Sequence, residues 1–424
     1  MSKPLVTILG KAVRKAAQMR GGGSALPGLF VERIDPSFIK RTLSSLPHGV
    51  VVISGTNGKT TTTKMVVELL ESQGLKVFTN RTGSNFTRGV AAALLGEINI
   101  KGHLDADIAV LELDEAHATN FVRVIPPKYS LLLNVMRDQL DRFGEIDHTT
   151  RLLRIVAEAT TNSVVLNRDD ARVASIADFI TDAKISYFGL DQSLYSMFPE
   201  DDSLHGSNVK LANKIKADVV LMKISDQDAT FNIDGQNIET TLKLTGIYNI
   251  YNVAAALALV RQIMPDSLNQ AALLKALSNV TPAFGRGETL IVDGKPLELV
   301  LVKNPSGFRL GLKSFNPNGF ATMIAINDNY ADGRDMSWLW DVDFDSLKDT
   351  GVVQLSGIRA FDMALRLQYD EVPIKNVVQP RLSKALKSFL QASTNQQKRI
   401  YCTYTAMLTL RKELSKMTNV EVIK

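Results

Sequence analysis

The sequence is poor in cysteine and in long apolar runs, and each shortage excludes a class of protein. A single cysteine, Cys402, among 424 residues excludes an intramolecular disulfide and a zinc cluster built from several thiolates. Such a chain fits a reducing compartment, and we expect a cytoplasmic location. No segment approaches the ~20 apolar residues that a membrane-spanning helix needs. The short apolar stretch at residues 5–9 lacks the cleavage pattern of a signal peptide.

The chain also lacks a strong excess of one charge. It has 49 basic and 44 acidic residues, a net charge of +5, and the two signs are mixed, so a nucleic-acid partner is not indicated. The N-terminal segment differs, because Lys3, Lys11, Arg14, Lys15 and Arg20 alternate there with apolar residues. This pattern predicts a basic amphipathic helix. The helix either touches anionic lipid at the inner face of a membrane or packs on the protein with a solvated basic face.

The most informative motif is present at residues 50–62, where four apolar residues precede Ser-Gly-Thr-Asn-Gly-Lys-Thr-Thr-Thr. A buried strand, a glycine loop and a helix start form an anion site, because backbone N–H groups and the helix dipole attract phosphate. Lys59 supplies a charge for the β- and γ-phosphates, and the Thr60 hydroxyl is a ligand for Mg²⁺. Ile53 stands where the general P-loop pattern has its first glycine, so the loop is a shortened variant. The predicted nucleotide contacts are Gly55, Thr56, Asn57, Gly58, Lys59, Thr60 and Thr61.

Further motifs follow in a fixed order, and together with the loop they resemble the Mur ligase superfamily. They are Leu-Glu-Leu-Asp-Glu at 111–115, the Asn-Val-…-Asp-Arg segment at 134–142, Gly-Ile-Tyr-Asn-Ile-Tyr-Asn at 246–252 and Phe-Gly-Arg-Gly-Glu at 284–288. The resemblance implies an ATP-dependent ligase that joins an acid to an amine. It also implies that Asn249 and Asn252 contact adenine, while Arg286 at the hinge and Lys303 after the next strand contact the nucleotide.

The same resemblance assigns a magnesium site. Glu112 at the end of an apolar strand corresponds to the family's metal-binding glutamate and completes the site with Thr60, since Mg²⁺ prefers hard oxygen ligands. Gln139 stands where the family has a metal-binding histidine, and a glutamine oxygen is a weaker ligand than imidazole. The sequence has no clear counterpart of the lysine that is carbamylated in many Mur ligases.

The segment at 327–341 narrows the resemblance. It contains four aspartates and both tryptophans of the chain, and with Lys303-Asn304-Pro305 and residues 356–363 and 404–408 it resembles the MurT family. In that family, the α-carboxyl of D-glutamate in lipid II is activated by ATP and amidated with ammonia from a separate glutaminase subunit, GatD. Cys402 has no histidine near it in sequence, so we expect the ammonia to come from another chain.

The MurT resemblance implies a catalytic aspartate in this segment, which we assign to Asp335. Asp332 and Asp341 are competing candidates, and any of the three is otherwise a turn-forming or capping residue. Trp338 and Trp340 follow closely and are predicted anchors for a partner surface. Many MurT proteins carry a four-cysteine zinc ribbon, which this chain cannot form with one cysteine.

Alternating apolar runs and helical stretches predict an α/β protein. We expect a Mur ligase-type central P-loop ATPase domain with a parallel sheet at 49–284, followed by a smaller MurT-type α/β domain at 285–424. A basic helical segment at 1–48 precedes them. Residues 187–239, with a hairpin signal at Asp234-Gly235, are interpreted as an inserted or peripheral β subregion without a zinc ribbon.

Two other functions remain open on the sequence. One is a Mur-type ligase that adds an amino acid or free ammonia to another acid, against which the acidic segment argues. The other is a nucleotide-binding scaffold without turnover, suggested by Gln139 and by the missing lysine.

Overall fold

The computed structural model describes residues 3–19, 26–80, 86–137, 146–198, 215–225, 227–244, 246–281, 286–392 and 396–420. The α-helices in these segments are α1 (Lys3–Met19), α2 (Leu26–Ile34), α3 (Phe38–Leu43), α4 (Lys59–Ser72), α5 (Thr87–Glu97), α6 (Glu115–Val124), α7 (Ile146–Glu158), α8 (Ala171–Ser175), α9 (Ile247–Ile263), α10 (Gln270–Leu277), α11 (Pro305–Ser314), α12 (Ala360–Tyr369), α13 (Leu382–Ala392) and α14 (Tyr404–Leu414).

The β-strands are β1 (Val50–Ser54), β2 (Val77–Thr79), β3 (Ile108–Glu112), β4 (Tyr129–Leu132), β5 (Ser163–Asn167), β6 (Lys184–Leu190), β7 (Val219–Ser225), β8 (Asp228–Ile233), β9 (Gln236–Thr241), β10 (Arg286–Val292), β11 (Lys295–Leu301), β12 (Phe320–Ala325), β13 (Gln354–Ser356) and β14 (Gln397–Cys402). Short 3₁₀ helices cover Ile176–Phe179, Gln192–Met197, Ser337–Asp341 and Asp345–Leu347. None of the helices in the described ranges has the length and apolar content to cross a bilayer.

The first sheet has nine strands in the order β2-β3-β1-β4-β5-β6-β7-β8-β9. Strand β1 lies between β3 and β4 and is parallel to both, so Val51 pairs with Val110 and Tyr129. All five residues of β1 are buried, as the apolar run at 50–53 predicts for a strand covered on both faces. The carboxyl ends of the parallel strands therefore meet at one edge, where the glycine loop lies.

The far edge of this sheet distinguishes between the two interpretations of 187–239, which are an inserted and a peripheral β subregion. Strand β6 is parallel to β5, and β7 is parallel to β6, so this region continues the first sheet and is not a separate insertion. Strands β7, β8 and β9 are then antiparallel, and the predicted Asp234-Gly235 turn joins the last two with both residues at positive φ. The region is peripheral, which is one of the two interpretations, whereas strand β6 was not predicted from the sequence.

Two helices cover the sheet next to the loop. Helix α4 begins at the loop and packs against β1, β2 and β3, and α9 packs across α4 and the strands β4 to β7. Every residue of α9 from Ile250 to Val260 is buried, which explains its Ala/Leu-rich interior without a polar face.

The N-terminal helices lie on the opposite face of the sheet, where Val6 and Val31 share a core with Val50 and Val52 of β1. Helix α1 packs against α2 and α5, and α2 crosses α5 so closely that a Cβ on Gly28 would lie 1.9 Å from the Arg88 carbonyl oxygen. Since α5 follows β2, the start of α2 is beside the carboxyl edge of the sheet. The outward side of α1 is not uniformly basic, because Leu5 and Ile8 are exposed on it.

The second sheet confirms the prediction of a smaller C-terminal α/β unit. Its five strands have the order β10-β11-β14-β12-β13, in which only the β10–β11 hairpin is antiparallel. The sequence analysis missed β10 and β14. Strand β14 is central and ends at Cys402, which is completely buried, and burial strongly raises the pKa of its thiol.

Candidate active site

The glycine loop turns directly from β1 into α4. Gly55 and Gly58 have φ of +133° and +88°, a region that residues with a Cβ rarely adopt. A Cβ on Gly58 would also lie 2.8 Å from the Asn252 side-chain nitrogen. The glycine at 58 is therefore required both by the turn and by the close approach of α9. This approach brings the predicted adenine-side Asn252 to the phosphate loop.

Asn134, after β4, holds the loop in shape. Its side chain accepts a hydrogen bond from the Asn57 N–H (2.9 Å) and donates one to the Asn57 carbonyl (3.0 Å). Its carbonyl accepts from the Thr56 N–H at 3.0 Å. The first helical bond of α4 runs from the Thr62 N–H to the Gly58 carbonyl, so the N–H groups of residues 59–61 precede the intrahelical ladder. That is the arrangement by which helix N-termini bind anions.

The predicted phosphate-binding lysine is buried at the loop. The Lys59 ammonium donates to the carbonyls of Gly55 (2.5 Å) and Thr56 (3.3 Å) and pairs with the Glu115 carboxylate at 3.5 Å. Burial raises the pKa of Glu115, and the charges of Lys59 and, more weakly, Lys303 oppose this shift. Glu115 belongs to the motif at 111–115, but the sequence does not predict that it pairs with Lys59.

The two predicted magnesium ligands are also together. The Thr60 hydroxyl donates to the Glu112 carboxylate at 2.9 Å. The backbone of Glu112 is fixed by Asn80, whose side chain accepts from the Glu112 N–H and donates to its carbonyl. One hydroxyl and one carboxylate beside a phosphate loop fit Mg²⁺, which takes few protein ligands and completes its shell with phosphate and water. The third predicted ligand, Gln139, lies outside the described residues.

A cavity of about 130 Å³ extends from the loop along the first turns of α9. The predicted nucleotide contacts Asn57, Gly58, Asn249 and Asn252 line it, and Lys303 lines it from the second sheet. It is also lined by Asn167, Phe188, Tyr248 and Tyr251 and by residues of α11. This combination of amide groups and aromatic rings is suited to a planar base, and Asn167 and Tyr251 are not among the predicted contacts.

Side chains after β11 close the cavity from the second sheet. Asn304 donates from its side chain to the Asn57 side chain (3.4 Å), and the Ser306 hydroxyl donates to the Arg137 carbonyl (2.8 Å). The Arg137 guanidinium in turn pairs with Asp341 at 3.4 Å. The nucleotide cleft is thus built from both sheets.

The nucleotide contacts proposed for the side chains of Thr61 and Arg286 remain predictions. Thr61 is buried in the first turn of α4, and within the described residues its hydroxyl has no hydrogen-bond partner. Arg286 begins β10 opposite Val300, and its side chain lies outside the part that the structure describes.

The aspartates of the acidic segment at 327–341 have different surroundings. Asp332 is buried and accepts hydrogen bonds from the N–H (2.7 Å) and the hydroxyl (2.5 Å) of Thr405. Asp335 is half-buried and accepts from the Ser337 N–H at 2.9 Å. This geometry gives Asp332 a structural role and leaves one Asp335 oxygen outside that turn hydrogen bond.

The prediction that Trp338 and Trp340 both anchor a partner surface is wrong for Trp338. Trp338 is only 3% exposed and packs in the core against Phe308, because the 3₁₀ helix at Ser337–Asp341 turns it inward. Trp340 is 50% exposed and packs edge-on against Tyr369 at 5.1 Å.

Comparisons with known proteins agree with this geometry. The Mur ligase middle domain family matches residues 53–260, and the MurT ligase C-terminal family matches residues 301–407. The chain is 31% identical to the MurT subunit of lipid II isoglutaminyl synthase (glutamine-hydrolyzing) from Streptococcus pneumoniae, over 93% of each chain. It is 28% identical to that subunit from Staphylococcus aureus, over 89% of this chain and 90% of the relative.

Solved structures with the same fold are more distant in sequence. MurF from Acinetobacter baumannii superposes with a TM-score of 0.67 at 17% identity, covering 91% of this chain and 80% of that one. MurF from Thermotoga maritima, solved with ADP, superposes with a TM-score of 0.66 at 16% identity, covering 90% of this chain and 84% of that one. These likenesses establish the fold alone.

Proposed function

Because this chain belongs to the MurT family of Mur ligases, we propose that it is the ligase subunit of a lipid II isoglutaminyl synthase. The reaction is the ATP-dependent amidation of the α-carboxyl of D-glutamate in lipid II, which gives D-isoglutamine. The observation that carries the proposal is a cleft with one wall at the loop that holds Lys59 and Thr60 and the other wall in the MurT-type C-terminal region, through Lys303 and Asn304.

The reaction has two chemical steps. A carboxylate oxygen of the substrate attacks the γ-phosphorus of ATP, ADP leaves, and an acyl phosphate forms. Ammonia then attacks the acyl carbon, phosphate leaves, and a proton is lost from nitrogen. Lys59 moves from its carbonyl partners to the phosphates, where a fixed positive charge stabilises the charge that develops during transfer. Thr60 and Glu112 would hold Mg²⁺, which when bound would neutralise part of the triphosphate charge.

The ammonia source is a separate GatD-like glutaminase. Glutamine hydrolysis needs an activated nucleophile, and the only thiol of this chain is fully buried with a raised pKa. Asp335 is the proposed catalytic residue at the shared site, where its free oxygen would orient a histidine of the partner. The lipid acceptor requires that the complex works at the inner face of a membrane.

The test is amidation of lipid II by the purified chain with two nitrogen sources. We expect product with ammonium and ATP, no product with glutamine, and product from glutamine once a glutaminase subunit is added. Glutamine-dependent amidation by the isolated chain would overturn the division of labour. ATP turnover with an amino acid in place of ammonium favours the other Mur-type reaction, and no turnover under any condition favours the scaffold.

A further inference from the structure

The N-terminal helix α1 is apolar on two opposite sides. One side carries Val6, Gly10 and Ala17 and packs against α2 and α5. The other side carries Leu5, Ile8, Ala12, Ala16 and Met19, whose spacing of three, four or seven residues forms one stripe along a helix. All five are exposed, with Leu5 at 44%, Ile8 at 49% and Met19 at 78%. We call these five residues the outer stripe.

A surface helix that covers a core needs only one apolar face. Folding therefore explains the inner side of α1 but not the outer stripe. Leu26 begins α2 beside this helix and is also 55% exposed, so the apolar surface extends beyond α1. Contiguous exposed apolar surface of this kind marks an interaction site.

Charge identifies the class of surface that fits the outer stripe. Residues 1–23 contain five of the 49 basic residues and none of the 44 acidic ones, so the remaining chain has 44 of each. The whole formal net charge of +5 therefore lies in this segment. Lys15 is exposed and Lys11 is half-exposed one turn before it, both along one flank of the outer stripe. Arg14 points elsewhere, toward Gly96 of α5.

From this combination we propose that α1 is a docking helix for a bilayer rich in anionic phospholipid. The outer stripe enters the boundary between headgroups and acyl chains, and Lys11 and Lys15 remain among the phosphates, as interfacial helices do. Only the biological purpose of this docking rests on the proposed function, because lipid II is held in a membrane.

The experiment is sedimentation of the full chain with vesicles, without substrate or partner. We expect binding to vesicles rich in phosphatidylglycerol, little binding to phosphatidylcholine alone, and release at high salt. Replacing the stripe by Leu5→Gln, Ile8→Gln and Met19→Gln should weaken binding at least about tenfold. Lys11→Gln with Lys15→Gln should weaken it about fivefold per lysine.

Matched controls exist elsewhere on the surface. Ile291→Gln with Val377→Gln removes exposed apolar groups, and Lys384→Gln with Lys387→Gln removes exposed lysines of α13, and neither pair should change binding. An unchanged melting temperature verifies that each variant folds. Absence of vesicle binding by the wild type overturns the inference, as does full binding by the stripe variant.

Two further outcomes separate this inference from the proposed function. The inference is wrong if the stripe variant keeps vesicle binding but loses binding of the glutaminase, or loses self-association. Helix α1 is then a protein interface. If vesicle binding follows the expectations but the chain never amidates lipid II in detergent, the docking helix stands and the proposed function fails.

Discussion

The glycine loop at 55–61 and the acidic segment at 327–341 both follow a buried strand and both contain many polar residues. In the loop the polar groups converge, since Lys59 pairs with Glu115 and the adjacent Thr60 pairs with Glu112. In the acidic segment the groups diverge. Asp328 pairs with Arg359, Asp332 with Thr405, Asp335 with the Ser337 backbone and Asp341 with Arg137.

This contrast separates two kinds of function. A convergent cluster can hold one small polyanion, whereas carboxylates with separate partners cannot hold one cation, and no set of three metal-ligating side chains is found among the described residues. The acidic segment instead borders an apolar surface formed by Trp340, Phe361, Leu365 and Tyr369, all at least 49% exposed. We call it the aromatic surface. Large exposed aromatic side chains are typical anchors of protein interfaces.

The sharpest test of the convergent site is Lys59→Ala. We expect ATP-dependent amidation with ammonium to fall at least ~10²-fold, because a charge that stabilises the transferring phosphoryl group is removed. The control is Lys64→Ala on the same helix, whose ammonium contacts Thr281 and Glu68. Rates and melting temperatures are measured for both variants. A Lys59 variant that turns over normally at saturating ATP removes Lys59 from the site.

In the divergent segment, Asp335→Asn should separate the two nitrogen sources. We expect glutamine-driven amidation by the reconstituted complex to fall at least about tenfold, because a triad acid orients its histidine through its charge. Amidation with ammonium and binding of the partner should persist. Glutaminase activity is the readout that a turn-forming role would leave unchanged.

The comparison variant for this experiment is Asp332→Asn. Asp332 is buried among hydrogen bonds to Thr405 and Asn329, so its replacement should lower stability by about 1–3 kcal/mol and affect both nitrogen sources alike. If Asp335→Asn behaves in the same way, Asp335 is a structural residue.

The convergent site was largely predictable from sequence because its chemistry is local. Strand, glycine loop and helix start are contiguous at 50–62, and Glu112 ends the neighbouring strand, so parallel pairing alone brings it to Thr60. What the sequence could not give are contacts fixed by packing between distant segments. Glu115 and Asn304 reach the loop only because α6 begins beside β3 and because the second sheet closes over the cleft.

The divergent segment was harder to predict for the same physical reason. Two tryptophans two residues apart have similar local sequence, and only the turn of a 3₁₀ helix decides that Trp338 enters the core while Trp340 remains outside. Strand β14 was missed because Lys398 and Arg399 interrupt its apolar pattern, yet both are buried. Arg399 is accommodated by Glu298 on the neighbouring strand at 2.7 Å.

The aromatic surface gives a prediction of intermediate size. Phe361→Ser with Leu365→Ser, on the exposed face of α12, should weaken binding of the glutaminase subunit about tenfold or more, because interface anchors dominate affinity. Amidation with ammonium by the isolated chain should be unchanged. Val377→Ser, at a residue 89% exposed outside this surface, is the control. Unchanged affinity, measured by titration calorimetry, would place the partner elsewhere.

The smallest expected effect concerns the link between the two regions. Ser306 is buried in the first turn of α11 and donates across the cleft to the Arg137 carbonyl, in the segment that follows the loop-supporting Asn134. Ser306→Ala removes this bridge, and a single neutral hydrogen bond contributes about 1 kcal/mol. Because the bridge joins the two walls of the nucleotide cleft, part of that energy should appear as weaker ADP binding, by a few-fold at most. The control is Ser278→Ala, whose hydroxyl donates to the Lys275 carbonyl at the end of α10. Equal losses of stability with unchanged ADP affinity in both variants would mean that the cleft walls are held together without Ser306, and that the nucleotide does not depend on this contact between the sheets.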